Sequence, residues 1–224
     1  MVATTRAAFD RQLQTLQDDI LVMGSMVEKA IERSIEALVR LDADLARQII
    51  ADDRAINDLR WRLEEDAVRL IATQQPMASD LRLIASVIPI TTELERMGDH
   101  AEGIAKIVLM HGSQSPVKPL IDIPRMADLA QSMLRRSLDA LIRRDADAAR
   151  AIAREDDDVD NLYDQVYREL LTYMIEDPHT IQRATWLLWA AHNVERIADR
   201  ATNICERVGY VVTGKMVEID VSTY

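Results

Sequence analysis

The feature that most constrains this 224-residue chain is that it repeats itself at a period of about 100 residues. Asp42-Ala43-Asp44-Leu45-Ala46-Arg47 returns as Asp145-Ala146-Asp147-Ala148-Ala149-Arg150, and Asp53-x-x-Ile56-Asn57 returns as Asp156-x-x-Val159-Asp160. Pro76 is matched by Pro178, and Glu95-Arg96-Met97-Gly98-Asp99-His100-Ala101 by Glu195-Arg196-Ile197-Ala198-Asp199-Arg200-Ala201, with Ile104 and Ile204 in step. Two copies of one structural unit follow. Each copy is near the lower size limit for a stable domain, so the halves are expected to pack against each other or against a second subunit, as in a homodimer.

The unit is helical. Phe9, Leu13, Leu16, Ile20, Met23, Val27, Ile31, Ile35 and Leu38 recur at three- and four-residue steps and form one apolar stripe of a helix over about residues 5–40. Asp42 suits the N-cap of a second helix, which carries Leu45, Ile49, Ile56, Leu59, Leu63, Leu70 and Ile71 to about Gln74. Pro76 suits the first turn of a third, running to about Met110 and ended by His111-Gly112-Ser113, with a kink expected at Pro89. After a proline-marked linker the second copy repeats the plan over about 124–143, 145–176 and 178–213, Asp177 serving as a cap. With only 6 Gly and 6 Pro in the chain, no β class competes. The expected fold is all-α, two tandem three-helix bundles: 1–113 the first repeat, 114–123 the linker, 124–214 the second repeat and 215–224 a tail.

Charge narrows the partners. The chain carries 38 acids against 27 bases, a formal −11, which leaves no large basic surface to release counterions from nucleic acid and points instead to cations or basic protein surfaces. The same sign disfavours binding to anionic lipid. Cys205 stands alone and cannot form an internal disulfide, Met1 to Gln14 contains no secretion-like apolar stretch, and the most apolar segments, 83–90 and 185–191, fall short of the ~20 residues a bilayer demands. The cytoplasm is the expected compartment, with any membrane connection made through a partner.

Residues four apart project the same way from a helix, so Glu95 with Asp99, Glu195 with Asp199 and Asp156 with Asp160 each pair two carboxylates. Asp53 with Asn57 is a fourth pair, one carboxylate replaced by an amide oxygen. If the second helix of each unit faces the third, three or four oxygens surround a common point, an outline suited to magnesium, manganese, calcium or iron. In so acidic a chain several such pairs arise by chance and are merely solvated. Here, however, a mildly repulsive pair recurs at the same place in both halves, beside a second oxygen-rich pair. A redox centre of the di-iron bundle type requires Glu-x-x-His on two helices, and the only such string, Glu176-Asp177-Pro178-His179, crosses an expected turn. No phosphate-cradling glycine loop or local Ser/His/Asp arrangement is present, so a non-catalytic protein is expected. Cys205 reads as a packed residue, Trp186 and Trp189 as core or subunit interface, His100 as a flanking surface residue, and Arg96 and Arg196 as partners of neighbouring carboxylates or of an acidic partner.

Ala78-Ser79-Asp80-Leu81-Arg82 after Pro76, Leu94-Glu95-Arg96-Met97-Gly98-Asp99, and the run from Glu195 through Asp199 and Asn203 to Glu206 together resemble the PhoU family over roughly residues 5–214. The family's acidic signatures match at Glu95/Asp99, Glu195/Asp199 and Asp156/Asp160, with its first-repeat form at Asp53/Asn57; Pro89 departs from the pattern. The resemblance implies divalent or trivalent metal ions or clusters (iron, magnesium, manganese or zinc) on Asp53, Asn57, Glu95, Asp99, Asp156, Asp160, Glu195 and Asp199. It also implies a negative regulator of the phosphate regulon and of phosphate uptake, an adaptor between the PstB-type ATPase of the phosphate ABC transporter and a PhoR-type sensor histidine kinase. The alternative is a metal-binding or metal-storage scaffold with no signalling role.

Overall fold

A computed structural model describes residues 2–112, 114–217 and 219; Ser113 and the end of the expected tail lie outside the described residues. Among the described residues there are seven α-helices: α1 Val2–Arg40, α2 Ala43–Gln74, α3 Ala78–His111, α4 Asp122–Arg143, α5 Ala146–Ala153, α6 Asp156–Glu176 and α7 Ile181–Thr213, the last entered through a 3₁₀ turn, Pro178–Thr180. The chain is all-α and tandemly repeated, as its period predicts.

Local chemistry sets the turns. Asp42 accepts hydrogen bonds from the amides of Asp44 and Leu45, Asp145 from that of Ala148, and Asp177 from that of His179. Leu41 and Arg144, the residues just before the first two caps, both take the left-handed conformation, and the following amides bond back to the carbonyls of Ala37 and Ala140. The first turn of the repeat is therefore duplicated down to its backbone.

Three expectations require correction. Pro76 lies before α3 rather than in its first turn, because the extended Met77 is the helix cap. α4 begins at Asp122, so Pro124 sits inside its first turn, where a missing amide costs nothing. The helix expected over 145–176 is two helices: Arg154 and Glu155 make a tight turn in which the amide of Glu155 donates to the carbonyl of Ile152 and that of Asp158 to Glu155. Arg136 of α4 grips this turn through a two-pronged ion pair with Glu155. At Pro89, α3 runs on without a break, and the hydroxyls of Thr91 and Thr92 both donate to the carbonyl of Ile88.

Each repeat is a three-helix unit, α1–α2–α3 and α4–(α5, α6)–α7, and one apolar core runs through both, with Met23, Ile31, Leu63, Ile90, Met97, Met126, Val194 and Ile204 buried. The seam is antiparallel α3 against α7, with α1 crossing α4 behind it. Along it Arg200 and Asn203 donate to Glu93 at 3.4 and 3.2 Å, and His100 meets Asn193 at 3.0 Å. Positions 93 and 193, and 100 and 200, are repeat equivalents, so these contacts are related by the pseudo-twofold of the repeat. His100 is thus a half-buried seam residue, not the surface residue its helical angle suggested, and burial holds its pKa below the ordinary histidine value.

Candidate functional site

Two acidic clusters lie where the second and third helices of each repeat face one another. In the first, α2 contributes Asp53, Asn57 and Arg60, and α3 contributes Glu95, Asp99 and Glu102. Burial, then the charges of Asp99, Glu102 and Glu95, push the Asp53 carboxyl up to about 6, and Asp99 is raised by burial and by Glu102. Asn57 donates its amide N–H to Asp53 Oδ2 at 2.8 Å, which ties the two residues of this pair together. Asp53 Oδ1 is buried without a hydrogen bond. It has that room because residue 98 is glycine: a Cβ there would lie 3.3 Å from Asp53 Oδ1 and 3.2 Å from Ile56 Cδ1.

In the second cluster α6 contributes Asp156 and Asp160, and α7 contributes Glu195 and Asp199. Asp156, the first residue of α6, is 4% exposed, and its Oδ1 has no hydrogen bond. Burial, then Asp199, Asp160 and Glu195, push its carboxyl up to about 7. Glu195 is likewise pushed up to about 7, by burial first and Asp199 next, against the opposing pull of Arg196. Its Oε2 lies 3.3 Å from His192 Nδ1 and 3.7 Å from Arg196 Nε but accepts no hydrogen bond, while Arg196 Nη1 donates to Asp199 at 2.9 Å.

The chain therefore brings the predicted pairs together across each helix interface, to the point of mutual repulsion. It does not gather them around one point: among the described residues no three His, Cys, Asp or Glu side chains are placed to hold a metal ion. The donor set nonetheless fits a hard cation: it is all oxygen, one buried oxygen each of Asp53, Asp156 and Glu195 lacks a hydrogen bond, and burial and neighbouring carboxylates raise the pKa of Asp53, Asp99, Asp156 and Glu195 in the way a bound positive charge would reverse.

Several contributors escaped the sequence reading. Glu102, paired with Lys106 at 2.5 Å, continues the face of Glu95 and Asp99, and the spacing 95, 99, 102 is a signal that could have found it. Arg60, which continues the face of Asp53 and Asn57, donates to Glu95 at 2.9 Å and to Glu64 at 2.8 Å. Of the other residues considered, Cys205 is fully buried with its thiol pushed up to about 12, an inert packed group. Trp186 packs against the core and the ring of His111 at 5.1 Å, whereas Trp189 is 48% exposed. No helix among the described residues is long and apolar enough to cross a membrane.

An all-α tandem repeat with a buried, repulsive acidic cluster in each copy defines a class of helical scaffold protein. The chain belongs to the PhoU family, whose PhoU domain model matches residues 20–108 and again 123–208. It is 41% identical over 217 residues to the phosphate-specific transport system accessory protein PhoU homolog of Clostridium acetobutylicum, covering 96% of this chain and 99% of that one. The crystal structure of PhoU from Pseudomonas aeruginosa superposes with a TM-score of 0.87 at 38% identity, covering 92% of this chain and 100% of the other. That of the phosphate transport system regulatory protein PhoU from Streptococcus pneumoniae gives 0.87 at 34% identity, covering 93% and 99%.

Proposed function

We propose that this chain is a regulatory accessory protein of a phosphate-specific transport system, an adaptor that reads the state of the transporter ATPase and holds a PhoR-type histidine kinase in its repressing condition when phosphate is plentiful. The observation that carries this reading is the duplicated acidic cluster at the helix interface of each repeat, in a chain related over nearly its whole length to proteins named for that role. An adaptor must bind two states of a partner with different affinity, which calls for a surface whose rigidity can be set.

The clusters supply such a control. Asp53, Asn57, Glu95 and Asp99 would hold a cation between α2 and α3, and Asp156, Asp160, Glu195 and Asp199 one between α6 and α7. Magnesium, manganese, iron or zinc, when bound, supplies positive charge that cancels the repulsion among these carboxylates. The protein's own part is to keep oxygens of Asp53, Asp156 and Glu195 desolvated and underbonded, so that the helix pair is looser without the ion than with it. The protein works in the cytoplasm and reaches the membrane through its partners.

The test is elemental mass spectrometry of the purified tag-free protein beside the combined variant Glu95→Gln, Asp99→Asn, Glu195→Gln, Asp199→Asn, with repression of a phosphate-responsive promoter measured in cells carrying each. Stoichiometric metal and repression both lost in the variant are expected. Metal lost with repression intact would make the chain a metal-holding scaffold, and unchanged metal and repression would remove the clusters from the mechanism.

A further inference from the structure

The two clusters are compensated differently, and we propose that Arg60 is a built-in counter-ion that guards the first cluster, so that it takes up a metal ion more weakly than the second does. The inference rests on reading the clusters as cation sites.

Arg60 stands seven residues after Asp53 on the same face of α2 and reaches across to α3. Its Nη1 lies 2.9 Å from Glu95 Oε1 and its Nε 2.8 Å from Glu64 Oε1, and its guanidinium lies over the ring of Trp61 at 4.9 Å. All three charged side chains are largely withdrawn from water: 20% exposed for Arg60, 17% for Glu95 and 18% for Glu64. Glu95 is a member of the candidate ligand set, and one of its two carboxylate oxygens, Oε1, is already bonded to a cation. An incoming metal must therefore compete for the charge of Glu95 with a guanidinium held by two carboxylates and an aromatic face, whose hydrogen bonds are worth more for being charge-assisted and partly desolvated.

The second repeat lacks this device. Seven residues after Asp156 stands Tyr163, a neutral side chain whose ring faces His192 at 6.0 Å. Of the two arginines that act on Glu195, Arg200 is turned to Glu93 across the seam, and Arg196 comes from α7 itself, pairs with Asp199 and is 43% exposed, so water screens it and can replace it. Asp156 Oδ1 and Glu195 Oε2 are left without hydrogen bonds. At Asp156 and Glu195 the second cluster is thus open, and at Glu95 the first is conditional. Trp61, 59% exposed and stacked on Arg60, reports the exchange: when the guanidinium leaves Glu95, the surroundings of the indole change.

The experiment titrates chelator-stripped full-length protein with manganese(II) by calorimetry, with Trp61 fluorescence followed in a background carrying Trp186→Phe and Trp189→Phe. Two phases are expected, the tighter one absent from Glu195→Gln/Asp199→Asn and silent at Trp61, the weaker one moving Trp61. Arg60→Gln should tighten the weaker phase about tenfold or more, the scale of one charge-assisted hydrogen bond. The reciprocal Tyr163→Arg should weaken the tighter phase by a similar factor, and it decides the matter alone if Arg60→Gln does not fold. Manganese binding with constants that neither substitution moves would overturn the guard and leave the cation sites standing. No binding to any of these proteins would overturn the cation sites and the guard with them.

Discussion

An ionised carboxylate withdrawn from water with an oxygen left unbonded favours the unfolded chain, where it is solvated, and Asp53 is such a case: Oδ2 accepts from Asn57, but Oδ1 lies buried beside Gly98 with no hydrogen bond. The sign of its pH dependence follows from its pKa, about 6 in the folded protein against 3.8 for the unperturbed group. A group raised in this way contributes its stability below about pH 4 and loses it as pH rises through about 6. Asp156 and Glu195, raised to about 7, act in the same direction. His100, His111 and His192, all lowered by burial, act oppositely, since their neutral forms are favoured on folding and stability is lost as pH falls below about 6.5. A comparison that cancels the histidines is therefore needed. In chelator, Asp53→Asn is expected to melt near the wild type at pH 4 and a few degrees above it at pH 8; with manganese present at pH 8 the order reverses, because the variant has lost a ligand. Melting followed by circular dichroism checks this, and a variant less stable than wild type at pH 8 in chelator would show that Asp53 is not a strained charge.

At the scale of elements, the break between α5 and α6 makes the repeats differ. Asp53 sits in the middle of a continuous α2, but its counterpart Asp156 opens α6, where the unpaired amides of the first turn and the helix dipole favour the carboxylates of Asp156, Asp157 and Asp158. The turn is held from α4 by Arg136 on Glu155, half-exposed but two-pronged, and Glu155→Gln is expected to cost about 1 kcal/mol. It should also speed amide exchange selectively over 154–158; uniform exchange across α6 would show that the turn needs no grip. This break was not legible in the sequence, because apolar periodicity runs through it and neither Gly nor Pro marks it; only the acidic run from Glu155 to Asp158 hints at a helix start. What depends on spacing along one helix was legible: the stripe of α1, the aspartate caps, and the carboxylates facing one another in pairs. What depends on how helices cross was not, and so His100 was placed on the surface and Arg60 was overlooked.

At the scale of the molecule, the question is whether the two repeats are one folding unit. Their core is continuous across the α3–α7 seam, and the first turn of α3 clamps both halves. Asp80, 8% exposed, lies 3.1 Å from Arg6 of α1 and 3.6 Å from Arg144 at the α4–α5 turn, and Arg82 donates to the carbonyl of Val211 near the end of α7. The two sides of this clamp are unequal. Removing the carboxylate leaves two arginines, 56% and 41% exposed, that water can serve, whereas removing the arginines leaves a buried charge with nothing opposite it. Asp80→Ala is therefore expected to cost about 1 kcal/mol and the double variant Arg6→Ala/Arg144→Ala about 2–3 kcal/mol, the excess coming from the buried carboxylate left unpaired. Urea unfolding read separately at Trp61 for the first repeat and at Trp186 and Trp189 for the second tests both the order and the unity. Because the shared apolar core and not the clamp joins the halves, the two probes should give coincident midpoints in the wild type and move together in both variants. Midpoints that separate would mean that each repeat melts alone, and a cation bound to one cluster would then have no rigid path to the other.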